Sequence, residues 1–196
     1  MNRKIIIFLV VIFLRVSLYA QTTEFTGISC VFSGSDAWKD WYIYAKDGNG
    51  RLSTIFSGND AWKSWRISLP GNKEGRIETI FSGSDAWKSW RFSIEKTDGR
   101  METIFSGDEA WKDWNISSGN LQLRVNTVFS GKDGWKDWNI SGEKGSIHVS
   151  TKFSGDDAWK DWYINDNMKN ENPELKFAAI FACIISSVIQ HLNSTN

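Results

Sequence analysis

The sequence predicts an all-β repeat protein: six strand-turn-strand repeats of about 24 residues, closed into a pseudo-sixfold ring or barrel, followed by one C-terminal helix. Three observations predict this fold. A Phe-Ser-Gly segment followed by an acidic residue and two Trp recurs at a regular spacing. Apolar and polar residues alternate on both sides of it. The first and last copies are both complete, and the copies begin at Phe32, Phe56, Phe81, Phe105, Phe129 and Phe153.

The residues before each Phe predict a half-buried strand. Ile147, Val149 and Thr151 alternate with polar residues, and Phe153 continues their side of the strand. We therefore expect the Phe of each repeat to be structural and to lie on the buried face.

The Ser-Gly and acidic residues after each Phe predict one helical turn. Their short side chains are typical of turns and helix caps, so we expect Asp36 and its equivalents to act as caps. In such a turn Asp36 pairs with Lys39, three residues on, and Trp38 lies on the same side as Trp41.

Alternation resumes at the second Trp of each repeat. Trp41 and Ile43 share one side, so this Trp is expected in the core of every copy. The structural set is Trp41, Trp65, Trp90, Trp114, Trp138 and Trp162. Gly-rich loops of varying length then close each repeat and are predicted to form a variable rim.

Six units give twelve strands, which can close into a ring or stack as a β-solenoid. In a solenoid Lys39 and its equivalents would stack about 4.8 Å apart, and like charges directly opposite destabilise a sheet. A solenoid also needs atypical end repeats. The closed form is therefore favoured.

Residues 1–20 have the parts of a secretory signal peptide, with Arg3 and Lys4 before an apolar run over residues 5–14. That run is too short to span a bilayer. We expect a secreted or cell-envelope protein whose repeat domain occupies residues 21–167.

Residues 168–196 are predicted to contain a helix packed on the repeat domain. Asn172 before Pro173 is a helix start, and residues 177–185 are apolar without a break, so the helix must be covered on most sides. A helix that plugs or caps the ring is favoured, and contact of this helix with a membrane is the alternative.

Cys30 and Cys183 are the only cysteines. Export permits a disulfide between them, and two buried free thiols are the alternative.

Candidate sites of chemistry are few. His148 and His191 are expected to be solvated, and the acidic residue of each repeat offers too few oxygens for calcium. We therefore expect no enzyme activity, no cofactor and no metal site. The chain has 23 basic and 23 acidic residues, which gives no indication of a nucleic-acid partner. We expect a monomer.

The first Trp of each repeat is the candidate ligand-binding residue. Flat aromatic faces beside Asp and Lys suit a sugar surface, and six copies would supply avidity. The candidates are Trp38, Trp62, Trp87, Trp111, Trp135 and Trp159. The expected function is an exported non-enzymatic scaffold or binding protein for an unknown protein or glycan partner, with multivalent carbohydrate binding through the Trp pairs as the alternative.

The alternation of Trp, an aromatic-rich strand and a Gly turn resembles the choline-binding repeats of cell-wall proteins. Those repeats carry a Trp-Tyr-Tyr core and a terminal Thr-Gly, and both are absent here. The resemblance therefore assigns neither a family nor a site.

Overall fold

The computed structural model describes residues 23–194, with side chains described through residue 191. The expected leader over residues 1–20 lies outside the described residues. Within them, twelve antiparallel strands form a closed barrel that one α-helix follows. The elements are β1 Phe25–Cys30, β2 Asp40–Ala45, β3 Gly48–Thr54, β4 Ser64–Leu69, β5 Lys73–Thr79, β6 Ser89–Ile94, β7 Thr97–Thr103, β8 Asp113–Ser118, β9 Leu121–Thr127, β10 Asp137–Gly142, β11 Gly145–Thr151, β12 Asp161–Asp166 and α1 Pro173–Ser194.

The barrel closes between its first and last strands. β1 pairs with β12 so that Gly27 faces Tyr163 and Ser29 faces Asp161. Every other strand pairs with its neighbours in sequence. The predicted closed form is confirmed and the solenoid alternative is wrong. Closure also leaves no unpaired edge among the twelve described strands.

The two ends of the barrel differ because the strands alternate in direction. The six repeat loops meet at one end, which we call the loop end; the short hairpins meet at the other, which we call the hairpin end. The six loops occupy residues 31–39, 55–63, 80–88, 104–112, 128–136 and 152–160.

Helix α1 fills the interior of the barrel. It begins where the sequence predicts, since the side-chain oxygen of Asn172 accepts a hydrogen bond from the backbone N–H of Leu175 at 2.7 Å. Phe181 packs edge-on between Trp65 and Trp90, at ring distances of 5.6 and 5.4 Å. The segment Pro173–His191 is apolar and long enough to cross a membrane, but 89% of its most apolar window is buried inside the protein.

A buried ion pair fixes the helix at the hairpin end. The Lys176 ammonium lies 2.6 Å from a carboxylate oxygen of Asp166, and both side chains are at most 1% exposed. Lys176 also donates to the backbone carbonyls of Thr23 and Met168. The carboxylate accepts from the backbone N–H groups of Phe25 and Met168. The first strand, the last strand and the helix therefore meet at one polar cluster.

Both cysteines are free thiols. Cys30 lies at the end of β1 and is half-buried, whereas Cys183 is fully buried in α1. Burial raises the pKa of both thiols, and the Asp161 carboxylate raises that of Cys30 further. The free-thiol alternative is thus the one that the structure has.

Candidate functional site: the loop end of the barrel

Each loop folds as a short 3-10 turn. In the first loop Ala37 donates its backbone N–H to the carbonyl of Gly34, and Lys39 donates to that of Asp36. Gly34 has a φ of 102°, a conformation that L side chains rarely adopt, and the equivalent glycines in the other loops also have positive φ. The Gly of the repeated Phe-Ser-Gly is therefore required by the turn.

The acidic residues do not cap these turns. In five loops the acid is at the capping position but makes no side-chain hydrogen bond to the turn. In the fifth loop Gly131 is at the capping position and Asp133 lies inside the turn, so the cap prediction is wrong. Each acid pairs with the Lys three residues on, as predicted, at 2.6–2.9 Å in five loops. In the remaining loop Glu109 pairs with Lys112. The acidic side chain stays 75–81% exposed in every pair.

The second Trp of each repeat lies in the core, which confirms the parity argument. All six are at most 1% exposed. The indole N–H of each donates to the backbone carbonyl of the first Trp in the same repeat, at 2.6–2.8 Å. This bond fixes the turn against the strand that follows it.

The first Trp of each repeat contacts a Lys and a second Trp. The Lys that follows it in sequence places its ammonium 5.2–5.4 Å from the ring centre. Each first Trp also contacts the second Trp of the next repeat at ring distances of 6.0–6.5 Å. The last such contact, between Trp159 and Trp41, joins the sixth repeat to the first. All twelve Trp therefore form one closed ring.

These contacts limit what the first Trp can offer to a ligand. Trp38, Trp111 and Trp159 are at most 5% exposed, so they present no free face. Trp62, Trp87 and Trp135 are half-buried and line two pockets around the C-terminal part of α1. The pockets have volumes of about 650 and 730 Å³.

The two histidines lie in different surroundings. His191, at the mouth of the barrel, stacks on Trp159 at 4.7 Å, and burial together with Lys160 lowers the pKa of His191. His148 lies on the outer wall, where its ring nitrogen is 2.6 Å from Asp137. Within residues 23–194 no group of three or more His, Cys, Asp or Glu side chains is arranged to hold a metal ion.

The Phe of each repeat is exposed, which corrects the prediction that it lies on the buried face. In every repeat the strand ends two residues before the Phe, and the chain bends there. The alternation of buried and exposed side chains along the strand therefore does not predict where the Phe side chain lies. The exposed fractions lie between 59% and 64% for Phe32, Phe56, Phe81, Phe105, Phe129 and Phe153. Six large apolar side chains thus stand in water around the loop end.

A crevice separates the fourth and fifth loops on the outer side of the barrel. Phe105 and Phe129 line it, and its volume is about 760 Å³. The guanidinium of Arg124 holds both carboxylate oxygens of Asp113, at 3.0 and 3.2 Å. Asn126, opposite Asp113 in the strand register, also lines the crevice. Aromatic rings and fixed polar groups are therefore brought together here.

Sequence reasoning missed this crevice. Asp113 and Arg124 are eleven residues apart on neighbouring strands, so their pairing depends on the strand register. One sequence signal could have indicated the pair: Asp40 and Arg51 have the same spacing of eleven residues, and they also form an ion pair.

Comparison of the chain with protein-family models, with curated proteins and with solved structures finds no match.

Proposed function

We propose that the protein is an exported, non-enzymatic binding protein that holds its ligand at the loop end of the barrel. The observation that carries the proposal is the set of six exposed Phe side chains at equivalent positions on the six loops. Exposed apolar groups that lie together mark interaction sites in soluble proteins, and Phe105 and Phe129 line one crevice. Export rests on the leader-like residues 1–20.

The loops are suited to binding because their backbones are fixed before a ligand arrives. Each loop is held by its turn hydrogen bonds, by an indole N–H bond and by a Lys ammonium on a Trp face. A preorganised surface loses little conformational entropy when it binds. Repetition around a closed barrel adds avidity for a ligand that reaches more than one loop.

The direct test is a triple variant in which Ser replaces Phe56, Phe105 and Phe153. These side chains are exposed, so the change should alter the unfolding free energy by roughly 0.5 kcal/mol or less per site. The matched control replaces Lys46 and Asn120, at the hairpin end, with Ala. Labelled proteins are applied to a glycan array, to phosphatidylcholine vesicles and to immobilised copies of the protein.

We expect the wild type to bind at least one of the three surfaces, the Phe variant to lose that binding and the hairpin control to keep it. Wild-type protein that binds none of them, or a Phe variant that keeps its binding, would contradict the proposal. Mass spectrometry of a bound glycan before and after incubation should show no change, as expected for a protein without catalysis.

Carbohydrate binding at the barrel mouth is a second candidate. Half-buried Trp62 and Trp87 line the same pocket as Asp36 and Asn59, so an aromatic edge and hydrogen-bonding groups are close together. A sugar in this pocket should shift the tryptophan emission, because it would change the surroundings of indole rings directly. A glycan that binds without any change in emission would place its site elsewhere.

A further inference from the structure

We propose that the crevice between the fourth and fifth loops is a carbohydrate-binding site, in which Phe105 and Phe129 stack on sugar rings and the Asp113–Arg124 pair binds their hydroxyl groups. This inference rests on the proposed function and names its ligand class. The sugar would stack on Phe side chains and not on the Trp of the same loop, since Trp111 already contacts Lys112 and Trp138.

The aromatic half of the site is accessible. Phe105 and Phe129 are 59% and 60% exposed. A pyranose ring has an apolar face made of C–H groups, and an exposed aromatic ring can cover it and remove both surfaces from water. The crevice volume of about 760 Å³ falls within the usual range for small-ligand sites.

The polar half of the site is held in place on two strands. Arg124 uses two of its N–H groups on Asp113, which leaves other N–H groups free to donate to a hydroxyl. Each carboxylate oxygen of Asp113 keeps a further lone pair that can accept from a hydroxyl. The amide of Asn126 donates to the carbonyl of Thr127, and this orients its own oxygen as an additional acceptor. Paired donors and acceptors of this kind suit the hydroxyl groups along the edge of a sugar.

The same polar groups argue against a bilayer as the ligand. Glu109, Lys112, Asp113 and Arg124 all border the crevice beside the two Phe rings. Inserting the rings into hydrocarbon would draw these charges out of water, which costs far more than burying the rings gains. A hydroxylated ligand would instead hydrogen-bond to these groups while it covers the rings.

The same Asp–Arg pair between two exposed Phe rings occurs on the opposite side of the barrel, where Ser53 takes the place of Asn126. Asp40 and Arg51 form the equivalent pair between the first and second loops, with nitrogen-oxygen distances of 2.8 and 2.5 Å. Phe32 and Phe56 are the exposed rings of those loops. The two sites are three repeats apart in a ring of six, so they face away from each other. The protein should therefore hold two glycans at once.

Two other interloop positions lack the carboxylate and serve as internal controls. Ser64 and Ser89 occupy the positions that Asp40 and Asp113 hold, although Arg76 and Arg100 follow them at the place of the partner arginine. These positions keep their exposed Phe rings and an arginine, but their carboxylates lie on the other strand, at the place of Asn126. Glu78 pairs there with Arg91, and Glu102 lies 3.9 Å from Arg100. We expect no sugar to bind there.

The test uses the full chain on an array of α-glucan, β-glucan, α-mannan and β-1,4-linked N-acetylglucosamine oligomers, followed by calorimetric titration with the oligomer that binds most strongly. We expect two sites on the wild type and one on Arg124→Gln or Phe129→Ser. Binding should be lost in the Arg51→Gln/Arg124→Gln double variant. Phe81→Ser and Arg100→Gln, at the control positions, should keep two sites.

Three outcomes would overturn the carbohydrate proposal: a wild type that binds none of the four glycans, a double variant that retains binding, or control variants that lose as much as Arg124→Gln. The vesicle and self-association measurements separate the two levels of inference. Binding to either surface that disappears in Phe129→Ser would refute the sugar ligand and retain the loop end as the binding surface. If no Phe substitution changes any binding, both proposals fail.

Discussion

Removing one partner of the buried ion pair at the hairpin end should severely destabilise the protein. Lys176→Met would leave the Asp166 carboxylate without its cation, although the carboxylate would keep the N–H groups of Phe25 and Met168. It would also remove the donor to the Thr23 carbonyl. Breaking a buried pair on one side typically costs about 3–5 kcal/mol. For a chain of this size the melting temperature should fall by about 6–20 °C.

The loss of unfolding free energy comes from the charge that is left unpaired. Removing both charges should therefore cost less than the sum of the two single changes. We expect a coupling free energy of about 2 kcal/mol in a cycle that adds Asp166→Asn and the double variant. Lys46→Met is the matched control. Its ammonium lies 2.6 Å from the Glu24 carboxylate, but the two side chains are 65% and 41% exposed, so that loss should be about 1 kcal/mol or less.

Urea unfolding, followed by tryptophan fluorescence, gives the unfolding free energy of all five proteins. The emission should change on unfolding because the buried Trp side chains become exposed to water. The denaturant dependence should be the same in each variant if all unfold in one step. A Lys176→Met variant that loses no more stability than Lys46→Met, or single changes whose losses simply add, would refute the reasoning that the two charges of the buried pair depend on each other.

Three further predictions concern the core, the outer wall and the mouth of the barrel. Trp90→Ala should cost about 3–5 kcal/mol of unfolding free energy, and half-buried Trp87→Ala should cost less; equal losses in urea unfolding would contradict the assignment. Arg66 and Arg76 face each other directly and have no ion pair within residues 23–194, so Arg76→Glu should add about 0.2–1 kcal/mol, and a loss would count against this register. The pKa of His191 is lowered from 6.5 in the folded protein, so the unfolded state binds protons more readily and stability should fall as the pH drops below about 6.5; a His191→Gln variant should lose that part of the pH dependence, and an unchanged profile would contradict it.

The closed barrel and its Trp core could be predicted because comparing the six repeats shows which side of each strand is buried. Six copies show which slots accept only Ile or Phe and which vary, and the complete end repeats indicate closure. Trp41 shares the parity of Ile43, and both are buried. Period and parity are local properties, so the sequence alone contains them.

The exposed Phe could not be placed by the same rule, because parity holds only while the strand continues. The bend begins at the residue before Phe56, two positions before the Ser-Gly pair that follows it. The contact that covers Trp38 was also beyond sequence reasoning, since the covering ring is Trp65 of the next repeat. The Asp113–Arg124 pair required the strand register. All three depend on how elements meet in space.

The position of α1 in the chain decides when the molecule can fold. Of the described elements, the helix that fills the barrel is synthesised last, and β1 cannot complete its pairing before β12, whose residues lie more than 130 positions away. A single hairpin is at best marginally stable in water, and contacts between distant residues form slowly. The strands therefore cannot complete their core until the helix has been synthesised. Until then their apolar side chains have no core partner, so the growing chain depends on protection from aggregation.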